Sequence, residues 1–137
     1  MNRKCTTLPD KQPAIRVAAM PADINSAGTI FGGWIMSQVD IAGSIAALGR
    51  ARGRVVTVAV NSFEFHQPVF PSDLISCYSD VIKVGRTSLT IKVEVYAQRN
   101  PGNLETIKVT EAELTFVALD ENRKPRNIPP KLDSEAM

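Results

Sequence analysis

Between Asp23 and Arg50 the chain carries a single charged residue, Asp40, set between Val39 and Ile41. A carboxylate placed among apolar neighbours without partners is costly to keep charged, which favours uptake of a proton. Helical spacing puts Gly33, Met36, Gly43 and Ala47 on the same narrow face as Asp40. Small residues on that face let a ligand or a second chain come close. The chemistry this suits is general-base activation, a contribution of about 10²–10⁴-fold in rate. The ordinary alternative is a helix aspartate that reaches solvent or pairs with an arginine.

A second feature leads into the same helix: Gly28-Thr29-Ile30-Phe31-Gly32-Gly33. A glycine pair at a helix start exposes unpaired N–H groups at the positive end of the helix dipole. Such donors can hold a carbonyl oxygen as it becomes an oxyanion, and losing one typically costs around 10²–10³-fold. Taken alone, a glycine pair is more often a turn. It is not a phosphate loop, because no Gly-Lys-Ser/Thr follows and no strand feeds a G-x-G-x-x-G.

The elements that must hold these residues follow from periodicity. Residues 1–13 form a polar lead, expected to be flexible, and 14–19 a short apolar strand ended by Pro21. Residues 23–33 are rich in Asn, Ser, Gly and Thr, a loop composition. From 33 to 48 the pattern is helical and apolar around most of its circumference, so the helix should be buried on several sides. Gly49 is the expected C-cap, with Arg50 and Arg52 beside the negative helix end. Then come four strands, at 54–65, 74–84, 87–97 and 104–119. The third alternates cleanly, with Leu89, Ile91, Val93 and Val95 on one face. Gly85-Arg86 and Asn100-Pro101-Gly102-Asn103 are the turns between the last three. The domain spans 14–120, and the charged, proline-rich tail 121–137 is expected to be extended or disordered. Strand, long helix, then antiparallel strands predicts an α+β fold, one helix wrapped by one curved sheet. Such a sheet leaves a face and an edge to cover, which predicts a homo-oligomer.

Bulk properties exclude other classes. The length of 137 residues fits one domain. A net charge of +2, with no basic stretch interleaved with aromatics, argues against nucleic acid. The apolar run at 30–48 is too broken by Gly, Ser, Gln and Asp to span a membrane. Two cysteines, Cys5 and Cys77, form neither a disulfide framework nor a metal motif. A reducing, cytoplasmic setting and no metal are expected.

The stretch Asn25-Ser26-Ala27-Gly28-Thr29-Ile30-Phe31-Gly32-Gly33-Trp34-Ile35-Met36-Ser37-Gln38-Val39-Asp40 resembles the signature of the bacterial YciA-type acyl-CoA thioesterases. These are hotdog-fold enzymes related to animal cytosolic acyl-CoA hydrolases. The lead-in Ala19-Met20-Pro21-Ala22-Asp23 matches too, as do Val55-Val56-Thr57-Val58, Gly85-Arg86-Thr87-Ser88, and Phe116-Val117-Ala118-Leu119-Asp120 followed by Lys124-Pro125-Arg126. The resemblance covers about 16–129. It implies a hotdog fold, hydrolysis of acyl-CoA to free acid and coenzyme A, no cofactor beyond the coenzyme A of the substrate, and assembly as a trimer of dimers. It further implies Asp40 as the catalytic carboxylate and Asn25, from a partner subunit, as its companion. Gly32 and Gly33 correspond to the helix-start donors. Gly85, Arg86, Thr87 and Ser88 fall where coenzyme A is contacted, with Lys124 and Arg126 as weaker candidates for its phosphates. One departure is Phe65-His66-Gln67-Pro68, where Phe-Leu-Arg-Pro is common; it bears on substrate preference rather than catalysis.

Other residues have plainer readings. His66, the one histidine, is expected to be a structural strand-end residue, although Glu64 lies two positions away on its strand face. Trp34 and Met36 read as core or dimer packing, and Glu111 and Glu113 as solvated or at a subunit contact. Two competing functions remain. A thioester hydratase would need a histidine beside a carboxylate. A non-catalytic acyl-CoA-binding module would bind without turnover.

Overall fold

The computed structural model describes residues 5–132. The outermost residues of the lead and tail lie outside the described residues. The elements are β1 (Ile15–Ala18), a 3₁₀ turn (Pro21–Asp23), α1 (Gly32–Ala51), β2 (Val55–Phe65), β3 (Leu74–Val84), β4 (Ser88–Arg99), a second 3₁₀ turn (Pro101–Asn103) and β5 (Glu105–Ala118). One five-stranded sheet runs in the order β1-β3-β4-β5-β2, antiparallel throughout. The helix packs on β2, β3, β4 and β5. This is the expected α+β hotdog architecture.

Alternation decides which side of the sheet meets the helix. Leu89, Ile91, Val93 and Val95 of β4 are all buried, as are Leu114 and Phe116 of β5. On the helix, Ile35, Val39, Ala42, Gly43, Ala47 and Ala51 make the buried stripe. Gly43 is required by close approach: a Cβ there would stand 3.1 Å from the Phe116 ring. The helix is less enclosed than its composition predicts. Met36, Ile41, Ile45 and Leu48 are exposed in the single chain, because the sheet covers only one side of α1. Among the described residues no helix is long and apolar enough to cross a membrane.

β3, β4 and β5 are sequential neighbours, as their short turns predict. β2 is not beside β3. It pairs with β5 at the sheet edge, and the segment holding Pro68 and Pro71 carries the chain past the helix start, where the Ile30 amide donates to the Val69 carbonyl at 2.8 Å. Two register shifts, at Thr57/Ala59 and Val60/Ser62, mark bulges in β2; these bend and twist an edge strand.

Both ends of the described chain are tied to the sheet. Cys5 bridges Ile107, and the Thr6 amide donates to the Thr106 carbonyl at 2.7 Å. Lys11 pairs with Asp80, and the Ala14 amide donates to the Cys77 carbonyl. The segment between must therefore pass across β4 and β3, where Tyr78 and Tyr96 are buried in edge-to-face contact at 5.7 Å. Beyond β5, Asp120 closes a tight turn, its carboxylate accepting from the amides of Asn122 and Lys124. The chain then runs extended, with the Ile128 amide on the Arg86 carbonyl at 2.8 Å.

The helix ends differently from the sequence expectation. It continues past Gly49 to Ala51, and Arg52 takes the left-handed cap conformation at φ 52°. Contacts distant in sequence supply the reason. Arg126 donates to the Ala51 carbonyl at 3.0 Å, while Arg50 and Arg52 donate to the carbonyls of Pro129 and Pro130. The Leu48 carbonyl accepts from the Arg52 and Gly53 amides and the Ala51 carbonyl from Arg126, while Arg50 and Arg52 hold the tail beside the helix end.

Candidate active site

Asp40 lies midway along α1, half-buried, on the side facing β2. Thr57 of β2 donates its hydroxyl to Asp40 Oδ1 at 2.6 Å. A hydrogen bond this short to a carboxylate fixes the rotamer and leaves the other oxygen, Oδ2, to take a proton. Thr57 sits just before the first β2 bulge, where the strand turns from the helix toward solvent. The stretch Val55-Val56-Thr57-Val58 matched the family pattern, but nothing in the sequence assigned Thr57 a role, because its partner is seventeen residues away and reached only through helix–strand packing.

Asn25 organises the loop before the helix. Its Oδ1 accepts from the amides of Ala27 and Thr29 at 2.9 and 3.1 Å, and its Nδ2 donates to Thr29 Oγ1 at 2.9 Å. The backbone closes the same loop through Asn25 N to Thr29 O at 2.7 Å, with Gly28 at φ 85°. This is a side-chain-closed turn of the kind asparagine forms readily. The Phe31 amide then anchors to the Asp23 carbonyl at 2.9 Å, which aims the helix start.

The amides of Trp34 and Ile35 both turn back to the Phe31 carbonyl, whereas those of Gly32 and Gly33 belong to the first, unpaired turn. Around Gly33 a Cβ would meet nothing within 4 Å, so its surroundings are open; Gly32 packs on the Phe65 ring. A cavity of about 380 Å³ opens here, lined by Ile30, Gly32, Ile35, Phe65, His66, Gln67, Pro68 and Val69. Asn25, Gly32 and Gly33 thus share one end of the molecule. No hydrogen bond joins them to Asp40, which lies about 10–12 Å along the helix at 1.5 Å per residue.

The remaining candidates gather at the other end. In the β3–β4 turn the Gly85 amide donates to the Ser88 carbonyl at 2.7 Å, and a Cβ on Gly85 would stand 2.9 Å from Ser88 Oγ. The Thr87 carbonyl accepts from Ala118, and Arg86 is exposed. Lys124 is exposed on the neighbouring tail turn. Arg126 is engaged internally, its guanidinium donating to the carbonyls of Leu119, Ala51 and Asn127. A cavity of about 630 Å³ beside the helix end is lined by Arg52, Arg54, Asp120 and Arg126; Arg52 and Arg54 are two cations that sequence reasoning did not propose for the site.

His66 is exposed; its amide donates to the Val109 carbonyl, and no hydrogen bond joins its ring to Glu64. On the outer face of the sheet Lys108 bridges Glu94 at 2.6 Å and Glu111 at 2.8 Å. The Lys108 hydrogen bond holds the Glu111 carboxyl below its ordinary range. Among the described residues no group of three His, Cys, Asp or Glu side chains could hold a metal ion.

The thioesterase superfamily model matches residues 27–102, the span from the Asn25 loop through β4. An uncharacterized acyl-CoA thioester hydrolase of Zymomonas mobilis is 49% identical over 89% of this chain and 81% of its own length. The acyl-CoA thioester hydrolase YciA of Escherichia coli is 43% identical over 89% of this chain and 94% of its own. The crystal structure of HI0827, a hexameric broad-specificity acyl-coenzyme A thioesterase, superposes with a TM-score of 0.84 at 45% identity, covering 95% of this chain and 89% of that one. The chain therefore belongs to the hotdog-fold thioesterase superfamily, among its YciA-type acyl-CoA thioester hydrolases.

Proposed function

We propose that this protein hydrolyses acyl-CoA to the free acid and coenzyme A, with Asp40 as general base. The observation that carries the reading is the Thr57–Asp40 hydrogen bond, which holds the one carboxylate of the helix in place. Asp40 takes a proton from water, and the hydroxide adds to the thioester carbonyl carbon. The oxygen gains the displaced electron pair and is held by the Gly32 and Gly33 amides. Collapse restores the carbonyl and expels the coenzyme A thiolate, which takes the proton back from Asp40.

Two subunits complete this site. Within one chain the helix-start amides and Asp40 are about 10–12 Å apart along the helix, too far for one carbonyl and its attacking water. The loop of Asn25, Gly32 and Gly33 from one subunit over Asp40 of another removes the gap. The exposed edge strand β2, with Val56, Val58 and Val60, and the exposed helix stripe Ile41, Ile45 and Leu48 supply the apolar surfaces such assembly needs. The solved relative HI0827 is hexameric, which supports a trimer of dimers here. Arg86 and Lys124, with the Gly85–Ser88 turn, meet the coenzyme A phosphates at the far end of α1, where Arg126 is held by the carbonyls of Leu119 and Ala51. The free thiols Cys5 and Cys77 support a reducing, cytoplasmic setting.

The test is Asp40→Ala, assayed for thiol release from acyl-CoAs between acetyl and palmitoyl. Loss of turnover by about 10²-fold or more is expected. Turnover equal to the native protein overturns the mechanism.

A further inference from the structure

Phe65 ends β2 and lines the cavity at the helix start together with Gly32. Its backbone is fixed: Phe65 pairs with Thr110 of β5, and the next amide, that of His66, donates to the Val109 carbonyl. Its ring leans on Phe63, with centroids 4.8 Å apart and planes tilted by 52°, a favourable arrangement for two aromatic rings. The tip of the ring reaches the helix start, where a Cβ on Gly32 would stand 3.1 Å from Phe65 Cζ. Even so, Phe65 is 50% exposed. About half of the side chain is therefore open to a group that enters the cavity.

A thioester oxygen that accepts from the Gly32 amide lies about 2.9 Å from its nitrogen. That nitrogen is bonded to the Cα the ring crowds, so the first carbons beyond the carbonyl have the ring as a neighbour. Ile30, Ile35, Pro68 and Val69 supply much of the remaining wall, which contains no Lys or Arg. Such a wall suits the hydrocarbon side of the thioester. The phosphate-bearing arm belongs with the cations at the other end of the molecule. The geometry points to Phe65 as a specificity-determining residue that selects acyl-CoAs unbranched at the carbon beside the carbonyl. A straight chain passes along the ring. A methyl branch at that carbon must push the ring from Phe63 and Gly32 or lift the oxygen off the Gly32 amide. One extra group of methylene size in an apolar pocket changes discrimination by about 10–200-fold. This inference rests on the hydrolase reading.

The test compares butyryl-CoA with isobutyryl-CoA, isomers that differ only in the branch, by thiol release from the full-length protein. Wild type should favour butyryl-CoA in kcat/KM by about tenfold or more. Phe65→Ala should bring the two substrates close to parity by raising kcat/KM for isobutyryl-CoA. Phe65→Leu, smaller than Phe but still apolar, should fall between, and it decides the matter if the alanine variant does not fold. Equal kcat/KM for the two substrates in wild type overturns the inference and leaves the hydrolase reading standing. So does a folded variant that slows both substrates by the same factor, since the ring then only seats the helix start. Failure of wild type to turn over either substrate defeats the hydrolase reading instead. In that case calorimetric Kd values decide the inference: a preference for butyryl-CoA that Phe65→Leu narrows supports it, and equal values overturn it.

Discussion

Thr57 and Asp40 are joined across the helix–sheet interface by a 2.6 Å hydrogen bond from hydroxyl to carboxylate. The bond links the base to the edge strand, so the strand's position sets the base's orientation. A hydrogen bond to a charged group is worth roughly 1.5–3 kcal/mol. Thr57→Val keeps the shape and removes the donor. Its kcat/KM should fall by about 10–100-fold, with kcat carrying most of the loss, whereas Thr57→Ser should retain most activity. Steady-state thiol release checks both, and a fully active Thr57→Val would sink the positioning role.

Arg86 and Arg126 should separate by what they do. Arg86 is an exposed turn cation, and Arg86→Ala should raise KM for acyl-CoA several-fold while leaving an acyl-pantetheine, which lacks the nucleotide phosphates, unaffected. Arg126 ties the helix end to the tail. Arg126→Ala should lower stability by about 1–3 kcal/mol through the carbonyls it strands, read as a shift in urea midpoint. A stability loss at Arg86 larger than that at Arg126 would contradict the assignment.

How much of this was visible in the sequence depends on how local the determining contact is. The alternation of Leu89, Ile91, Val93 and Val95 fixed the inward face of β4, because strand periodicity needs no partner to be read. Asp40 was legible as the odd charge on an apolar helix, and the Asn25–Asp40 stretch carried the family. The contact of Thr57 with Asp40 was not legible: in a run of β-branched residues a hydroxyl shows no partner until the helix lies against it. The end of α1 was misjudged for the same reason. Gly49 is a sound local stop signal, yet Arg126 arrives from far along the chain to cap the Ala51 carbonyl, and Pro129 and Pro130 accept from Arg50 and Arg52 beside it. The exposure of Ile41, Ile45 and Leu48 likewise reflects surfaces the single chain does not cover.

Those surfaces make a third prediction. Val58 is 54% exposed at the first β2 bulge, next to Thr57. A Val58→Asp substitution costs the isolated fold little, since a charged group there stays in water. Across a subunit contact the same charge is desolvated, at a cost of several kcal/mol. The variant should sediment as a smaller species and lose hydrolysis in parallel. A dissociated variant with full turnover would show that one subunit holds the whole site.

Cys77 predicts an alkaline sensitivity. Burial pushes its thiol up to about 12, against about 8.5 for a free cysteine. The folded state keeps the proton where the unfolded chain has lost it. The contribution is therefore complete below about pH 8.5 and declines as pH rises toward 12, by up to about 1.4 kcal/mol per pH unit. Urea unfolding at pH 8, 9.5 and 10.5 should show this slope in wild type and a shallower one in Cys77→Ala. In the native state at pH 8 a thiol reagent should modify the exposed Cys5 rapidly and Cys77 only on unfolding.

The Arg126–Ala51 hydrogen bond joins positions 75 residues apart, and that separation has a consequence during synthesis. Translation at 5–20 residues per second puts about 4–15 s between the appearance of the helix end and that of the arginine that caps it. Through that interval the Ala51 carbonyl lacks its Arg126 donor, and β5, the partner of both β2 and β4, is still being made. The nascent chain therefore holds an apolar helix without its finished sheet. Completion of the fold waits for the ribosome to release a segment well past the last strand, so a stop codon or frameshift just after β5 would leave every strand in place and the Ala51 carbonyl without its Arg126 donor.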